Sequence, residues 1–165
     1  MADPIESPDA SLVVRRSFAA PPARVFRAWT RPEELMRWFA PAGMETPVAE
    51  IDLRVGGRYR FGMRQSPDGD LIYVNGEYRE IEPPHRIIFT WSFENDSPVR
   101  DTLVTIDFLD RSGGTELVLM HTLMPTRKER DSHEGGWASI LEKLAAELES
   151  QAQRTSDQSH KERQS

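Results

Sequence analysis

The chain has 165 residues and a mass of 18.9 kDa, enough for one domain of ordinary size that buries roughly 70% of the surface its unfolded form exposes. Its net charge of −6, with the acidic excess in residues 1–150, excludes non-specific binding to nucleic acid or to anionic membranes, since both demand a basic surface. It has no cysteine, which excludes disulfides, thiolate catalysis and cysteine-ligated zinc or iron–sulfur sites and fits a reducing compartment.

Residues 1–10 are acidic and proline-containing, unlike a basic region followed by an apolar run, and they are expected to form a flexible leader. No run of 18 apolar residues occurs, so a soluble, cytoplasmic protein is expected. Ser11–Phe18 is rich in β-branched and aromatic residues and predicts a strand. Pro21-Pro22 ends it and suits the first turn of a helix whose apolar face is Val25, Phe26 and Trp29. Arg31-Pro32 breaks that helix. A second short one is expected to start with Glu33 and Glu34, carboxylates favoured by the helix dipole, to carry Leu35, Met36, Trp38 and Phe39, and to end at Pro41 and Gly43.

From Thr46 the apolar period changes from about 3.6 to about 2. Turn residues divide the stretch into six strands: 46–54, 58–64, 71–81, 86–93, 102–109 and 115–123. Short connections imply an antiparallel meander. Asn75-Gly76 also suits a tight hairpin turn, an alternative that would split the third segment. After Pro125, Trp137, Ile140, Leu141, Leu144 and Leu148 recur at steps of three and four, the stripe of a long helix expected to reach about Gln153. Residues 151–165 lack large apolar side chains beyond that stripe and are expected to be a disordered tail, leaving 11–150 as a single domain.

Few motifs carry chemistry by themselves. His133-Glu134 begins like a zinc-protease helix, but that motif needs a second histidine where the chain has Trp137, so no metal site and no cofactor are expected. No phosphate-binding glycine loop, dinucleotide fingerprint or nucleophile elbow is present; Gly56-Gly57 reads as a turn between strands. Strand alternation groups Tyr59, Phe61 and Met63 on one face, and likewise Ile87, Phe89, Trp91 and Phe93, then Val104, Ile106 and Phe108, then Leu117, Leu119 and His121. If these faces look at the C-terminal helix, Trp137 and Ile140 lie opposite a wall of Met63, Phe89, Trp91 and Leu119 with His121 among them. Trp38 and Phe39 flank the same space. His121 reads either as a hydrogen-bonded core residue or as a group that orients a ligand or moves a proton. Strand period alone leaves open whether Tyr73, Asn75 and Glu77 or the alternate register points inward.

The run Ala28-Trp29-Thr30-Arg31-Pro32-Glu33-Glu34-Leu35 with Trp38-Phe39-Ala40-Pro41, then Asp52-Leu53-Arg54-Val55-Gly56-Gly57-Arg58-Tyr59, resembles the activator of Hsp90 ATPase-like family. Gly76-Glu77-Tyr78, Glu82-Pro83-Pro84-His85-Arg86, Phe89-Thr90-Trp91, Thr115-Glu116-Leu117 and Gly135-Gly136-Trp137 continue the resemblance in order over residues 11–150. It implies the α+β helix-grip fold of the START and Bet v 1-like superfamily, element order β-α-α-β6-α, with a curved antiparallel sheet around a long C-terminal helix. It also implies three functional classes: binding of a hydrophobic or aromatic small molecule between sheet and helix, a co-chaperone-like contact with an Hsp90-type chaperone, or cyclase, aromatase or hydrolase chemistry in the same cavity. The first is the leading expectation, in a stress-response or secondary-metabolism setting, with Trp38, Phe39, Met63, Tyr73, Phe89, Trp91, Leu119, His121, Trp137 and Ile140 as the ligand-binding set. Catalysis requires His121, Glu77 or Tyr73 at a bound ligand with a shifted pKa, and no constellation in the sequence compels it.

Overall fold

The computed structural model describes residues 10–163, with side chains as far as residue 154. The leader expected over residues 1–10 lies outside the described residues except for Ala10, which is buried and whose carbonyl accepts from the Met124 amide. The described elements are β1 (Leu12–Phe18), α1 (Pro22–Thr30), α2 (Pro32–Leu35), β2 (Met44–Ile51), β3 (Arg58–Gln65), β4 (Ile72–Glu82), β5 (Arg86–Phe93), β6 (Thr102–Arg111), β7 (Gly114–Thr122) and α3 (Arg127–Arg163). The strands form one seven-stranded sheet in the order β1-β7-β6-β5-β4-β3-β2, every neighbouring pair antiparallel. β2 to β7 are the expected meander, and β1 closes against β7. The sheet curls around α3, which is the helix-grip architecture.

Local chemistry explains the two short helices. Pro22 sits in the first turn of α1, where its missing N–H costs nothing, and Val25, Phe26 and Trp29 turn inward. Pro32 holds Arg31 in an extended conformation (φ −104°, ψ 123°), ending α1 after a last bond from the Arg31 amide to the Arg27 carbonyl. α2 is shorter than its pattern suggests. After four residues the chain continues through turns, with Arg37 and Trp38 donating three residues back, so Trp38 and Phe39 ride on an irregular stretch.

The concave face of the sheet is the alternation expected from sequence, with Tyr59, Phe61 and Met63, Ile87, Phe89 and Trp91, Val104, Ile106 and Phe108, and Leu117, Leu119 and His121 all buried. In β4 the inward register is Val74, Gly76 and Tyr78, while Tyr73, Asn75 and Glu77 lie on the convex side. β4 is continuous through Asn75-Gly76, so no hairpin turn forms there. Gly76 is a glycine because a Cβ would collide with the Thr90 carbonyl oxygen and the Tyr59 ring. β2 starts two residues earlier than expected, contains Pro47 at a register shift, and ends at Ile51, because residues 52–57 fold back on themselves through the Arg54 to Asp52 and Gly57 to Arg54 bonds. Gly56 there has φ 85°, the left-handed turn conformation expected.

α3 buries Trp137, Ile140, Leu141, Leu144, Ala145 and Leu148 in the sheet, each large side chain contributing about 1.5–3 kcal/mol. Thr126 accepts the Glu129 amide at its N-terminus, a side-chain cap. The expected stop near Gln153 is corrected: the helix runs to Arg163. Residues 149–163 contain no glycine or proline to break it, and Gln, Arg, Glu and Lys are good helix formers. The Gln151 to Glu147 hydrogen bond also spans one turn at 2.8 Å.

A direct check is Gly76→Ala. The added methyl meets backbone and a buried ring, so urea unfolding should show a loss of about 2–3 kcal/mol with an unchanged m-value.

Candidate functional site

The space between sheet and α3 is packed with rings. Phe39 sits at its hub, with ring centroids 5.6 Å from Trp38, 5.0 Å from Phe61, 6.1 Å from Trp91 and 5.9 Å from both Trp29 and Trp137. What stays open is a recess of about 140 Å³ at one end of the sheet, walled by Met63, Trp91, Phe93, Trp137 and Ile140 and rimmed by Pro41, Ser132, His133 and Gly136. It has the size of a single aromatic ring with a short substituent, and a lipid or a polyketide does not fit it without repacking of the core. The loop beside it is clamped to α3 by the Ala42 amide donating to Ser139 Oγ (2.8 Å) and by Lys143 Nζ donating to the Met44 carbonyl (2.9 Å).

A directional chain of hydrogen bonds runs behind this wall. The Trp137 indole donates to His121 Nδ1 at 3.0 Å, and His121 Nε2 lies 2.7 Å from Thr102 Oγ1, which in turn lies 2.7 Å from the Trp91 carbonyl. An indole only donates and a carbonyl only accepts, so the hydroxyl gives its proton to Trp91 and accepts from Nε2. His121 is therefore the neutral Nε2–H tautomer with both nitrogens occupied. The Trp91 indole donates to His133 Nε2 at 3.3 Å, and His133 Nδ1–H donates to the Glu129 carbonyl at 2.9 Å, so His133 is neutral in the opposite tautomer. The two imidazoles meet edge to face, centroids 5.3 Å apart. Burial first, and the neighbouring His133 second, push the His121 pKa down from 6.5 to about 3. Burial also lowers His133, against the opposing pull of Glu129.

The ten residues expected at the ligand divide into three groups. Met63, Trp91, Trp137 and Ile140 line the recess. Trp38, Phe39, Phe89, Leu119 and His121 are buried behind it, His121 fully and with both ring nitrogens hydrogen-bonded inside the protein. Tyr73 is a correction: it lies on the convex face with the Arg60 guanidinium 3.7 Å above its ring, because β4 spends its inward register on Val74, Gly76 and Tyr78. Glu77 shares that outer face, near Arg79. Tyr73 and Glu77 thus lie on the opposite face of the sheet from His121.

Sequence reasoning considered His133 only against a zinc motif and passed over Pro41, Phe93, Ser132 and Gly136. The signal for His133 was its spacing, four residues before Trp137 and so on the same face of the helix. Among the described residues no group of three or more His, Asp or Glu is placed to hold a metal, and no helix is long and apolar enough to cross a membrane. A larger groove of about 770 Å³ lies outside this space, along β1, α1 and the C-terminal half of α3; its Arg16 is paired with Glu142, and its Arg24 and Arg27 with Glu34.

The histidine network predicts an acid-sensitive fold. Unfolded, the His121 ring takes a proton near pH 6.5; folded, it resists to about pH 3. Its contribution is complete above pH 6.5 and is lost as pH falls through that window, by up to about 1.4 kcal/mol per pH unit, and His133 acts in the same direction. His121→Leu should lower stability at pH 7.5 by about 1–3 kcal/mol, by orphaning the Trp137 donor, and flatten the slope between pH 6 and pH 4 in urea titrations. A slope that stays the same contradicts the assignment.

Residues 19–149 match the family described as activator of Hsp90 ATPase homolog 1-like protein. The chain is 25% identical over 131 residues to the human activator of 90 kDa heat shock protein ATPase homolog 1, an alignment covering 79% of this chain and 35% of that protein, so it spans about a third of the length of the curated relatives it matches. Among solved structures it superimposes on a Chromobacterium violaceum protein with TM-score 0.77 at 31% identity, covering 83% of this chain and 95% of that one. A Silicibacter pomeroyi protein of the same family gives TM-score 0.74 at 29% identity, over 86% and 99% of the two chains. The match in sequence extends over most of the helix-grip body just described, and the chain belongs to the activator of Hsp90 ATPase homolog 1-like family.

Proposed function

We propose that this chain binds a small, uncharged aromatic or apolar molecule in the recess between β3, β5 and α3, and that residues 11–150 are the binding unit. The observation that carries the reading is Gly136. It sits inside a long helix with ordinary backbone angles, and a Cβ there would meet nothing within 4 Å. Glycine costs a helix about 1 kcal/mol relative to alanine and here gains no steric relief for the fold. What its missing side chain does is keep the rim of an aromatic recess open.

The walls define the ligand's chemistry. No Asp, Glu, Lys or Arg lines the recess, and its imidazole is neutral and already engaged at both nitrogens. A carboxylate or ammonium entering it loses hydration without a charged partner, so neutral molecules are preferred. Stacking on Trp91 and Trp137 and contact with Met63 and Ile140 supply the affinity. The proposal sets this role in the cytoplasm, in keeping with a chain without cysteine.

A second reading, contact with an Hsp90-type chaperone, is favoured by the human relative, whose name describes activation of such an ATPase. The recess reading requires the space beside Gly136, and the chaperone reading does not depend on it. Titration with anisole, a neutral single-ring compound, should give a saturable change in the tryptophan fluorescence of the wild-type chain. Gly136→Leu fills the rim and should weaken anisole binding at least tenfold while the melting temperature holds or rises. Equal anisole binding by the variant contradicts the recess. Calorimetric titration of a purified Hsp90-type chaperone that gives the same affinity with wild type and Gly136→Leu supports the protein-contact reading instead.

A further inference from the structure

Two of the four tryptophans leave their donors unused. Trp29 and Trp38 are 3% and 1% exposed, and neither indole N–H has a hydrogen-bond partner among the described residues, whereas Trp91 and Trp137 both do. Buried donors are paired as a rule, and an orphan calls for a physical reason. The two rings pack edge to face, centroids 4.8 Å apart, which compensates only weakly.

Trp29 also borders a void of about 10 Å³ with Tyr59, Phe61, Tyr78, Ile87 and Phe89, room for about one water molecule. The Tyr59 hydroxyl is spent on the Thr90 carbonyl, 2.5 Å away. The Trp29 indole N–H is thus a fully buried donor without a partner among the residues of this wall, which also carries the Tyr78 hydroxyl.

Phe39 touches the linings of both spaces: its ring packs on Phe61 and Trp29, which border the void, and on Trp91 and Trp137, which wall the recess. Unlike those four, it is carried by the irregular stretch that leads from α2 to Gly43, where φ is 82°. That stretch is held by the Phe39 amide donating to Leu35 and by the Thr46 hydroxyl donating to the Phe39 carbonyl, so rotation of the ring needs no break in a sheet or a long helix.

We propose that recess and void are the two ends of one pocket closed by Phe39, and that its occupant is an uncharged aromatic molecule carrying a ketone or ether oxygen that accepts the Trp29 indole N–H. The inference rests on the recess binding a neutral aromatic molecule. It adds the depth of the pocket, the gate and the polar group the ligand must carry. Phe39 turns aside as the ligand enters, and the aromatic lining of the void closes on it.

Two neutral dyes test it. Prodan carries a ketone and its emission shifts to the blue when that ketone loses a hydrogen-bond donor; N-phenyl-1-naphthylamine has no carbonyl. Trp29→Phe keeps an aromatic ring in place, and it should weaken prodan binding about fivefold, the worth of one ordinary net hydrogen bond, shift the bound emission to the blue, and leave the second dye unchanged. Phe39→Leu should tighten both dyes severalfold. If both dyes bind the wild type but Trp29→Phe leaves prodan affinity and emission as they were, the inference is overturned while the recess stands. If Phe39→Leu, folded by near-ultraviolet circular dichroism, tightens neither dye, the gate is overturned. Failure of both dyes to bind the wild type overturns the inference, since each is larger than the recess alone and needs the opened pocket, whereas failure of anisole to bind overturns the recess itself and the inference with it.

Discussion

The fold depends on seating one large amphipathic side chain. Trp137 is the point at which α3 enters the sheet, and its burial removes an indole N–H from water. An unpaired donor at that depth would offset much of what the ring gains by burial. His121 resolves this by offering Nδ1 at 3.0 Å, and it can do so because Thr102 takes the proton on its other nitrogen and passes the polarity on to the Trp91 carbonyl. β5, β6, β7 and α3 are tied together by this chain of bonds, every member of which is satisfied in one direction only. A protonated His121 would face one donor with another, so the same contact that seats the helix also fixes the ring as neutral.

That constraint shapes what the cavity can do. Superfamily architecture leaves a space between a curled sheet and a helix, but here most of it is taken up by rings centred on Phe39, and the opening that persists is about 140 Å³. The charged pairs Arg60 to Glu94 and Arg64 to Glu45 lie on the convex face in partial contact with solvent, and Arg16, on the concave face, is paired with Glu142 of α3. The recess itself is lined by neutral residues throughout. On the proposed reading its neutral lining favours an uncharged ligand, and the size of the opening restricts that ligand to something near one ring unless the core yields.

Much of the fold was legible because its signals are periodic. Alternation along β3, β5, β6 and β7 assigned the concave face correctly, and the spacing of Trp137, Ile140, Leu141, Leu144 and Leu148 assigned the buried stripe of α3. The site was less legible. Gly76 interrupts the pattern of β4, so the period could not decide which register faces inward, and Tyr73 was placed on the wrong side. Single-turn α2 has too few residues for a helical period to end visibly, which hid that Phe39 sits on irregular backbone. His121 could be placed on its face, but its role depends on Thr102 and Trp91 in neighbouring strands, contacts that no local pattern encodes. His133 was within reach of helical spacing from Trp137.

The most direct measurement is a two-dimensional ¹H–¹⁵N spectrum of the indole region during titration with anisole, a neutral single-ring compound. Four tryptophans give four resolved reporters, all placed around the sheet and helix interface. The account predicts that the Trp91 and Trp137 indole resonances move together and saturably, since their rings form the recess wall. Four resonances that stay unmoved at millimolar anisole would contradict it.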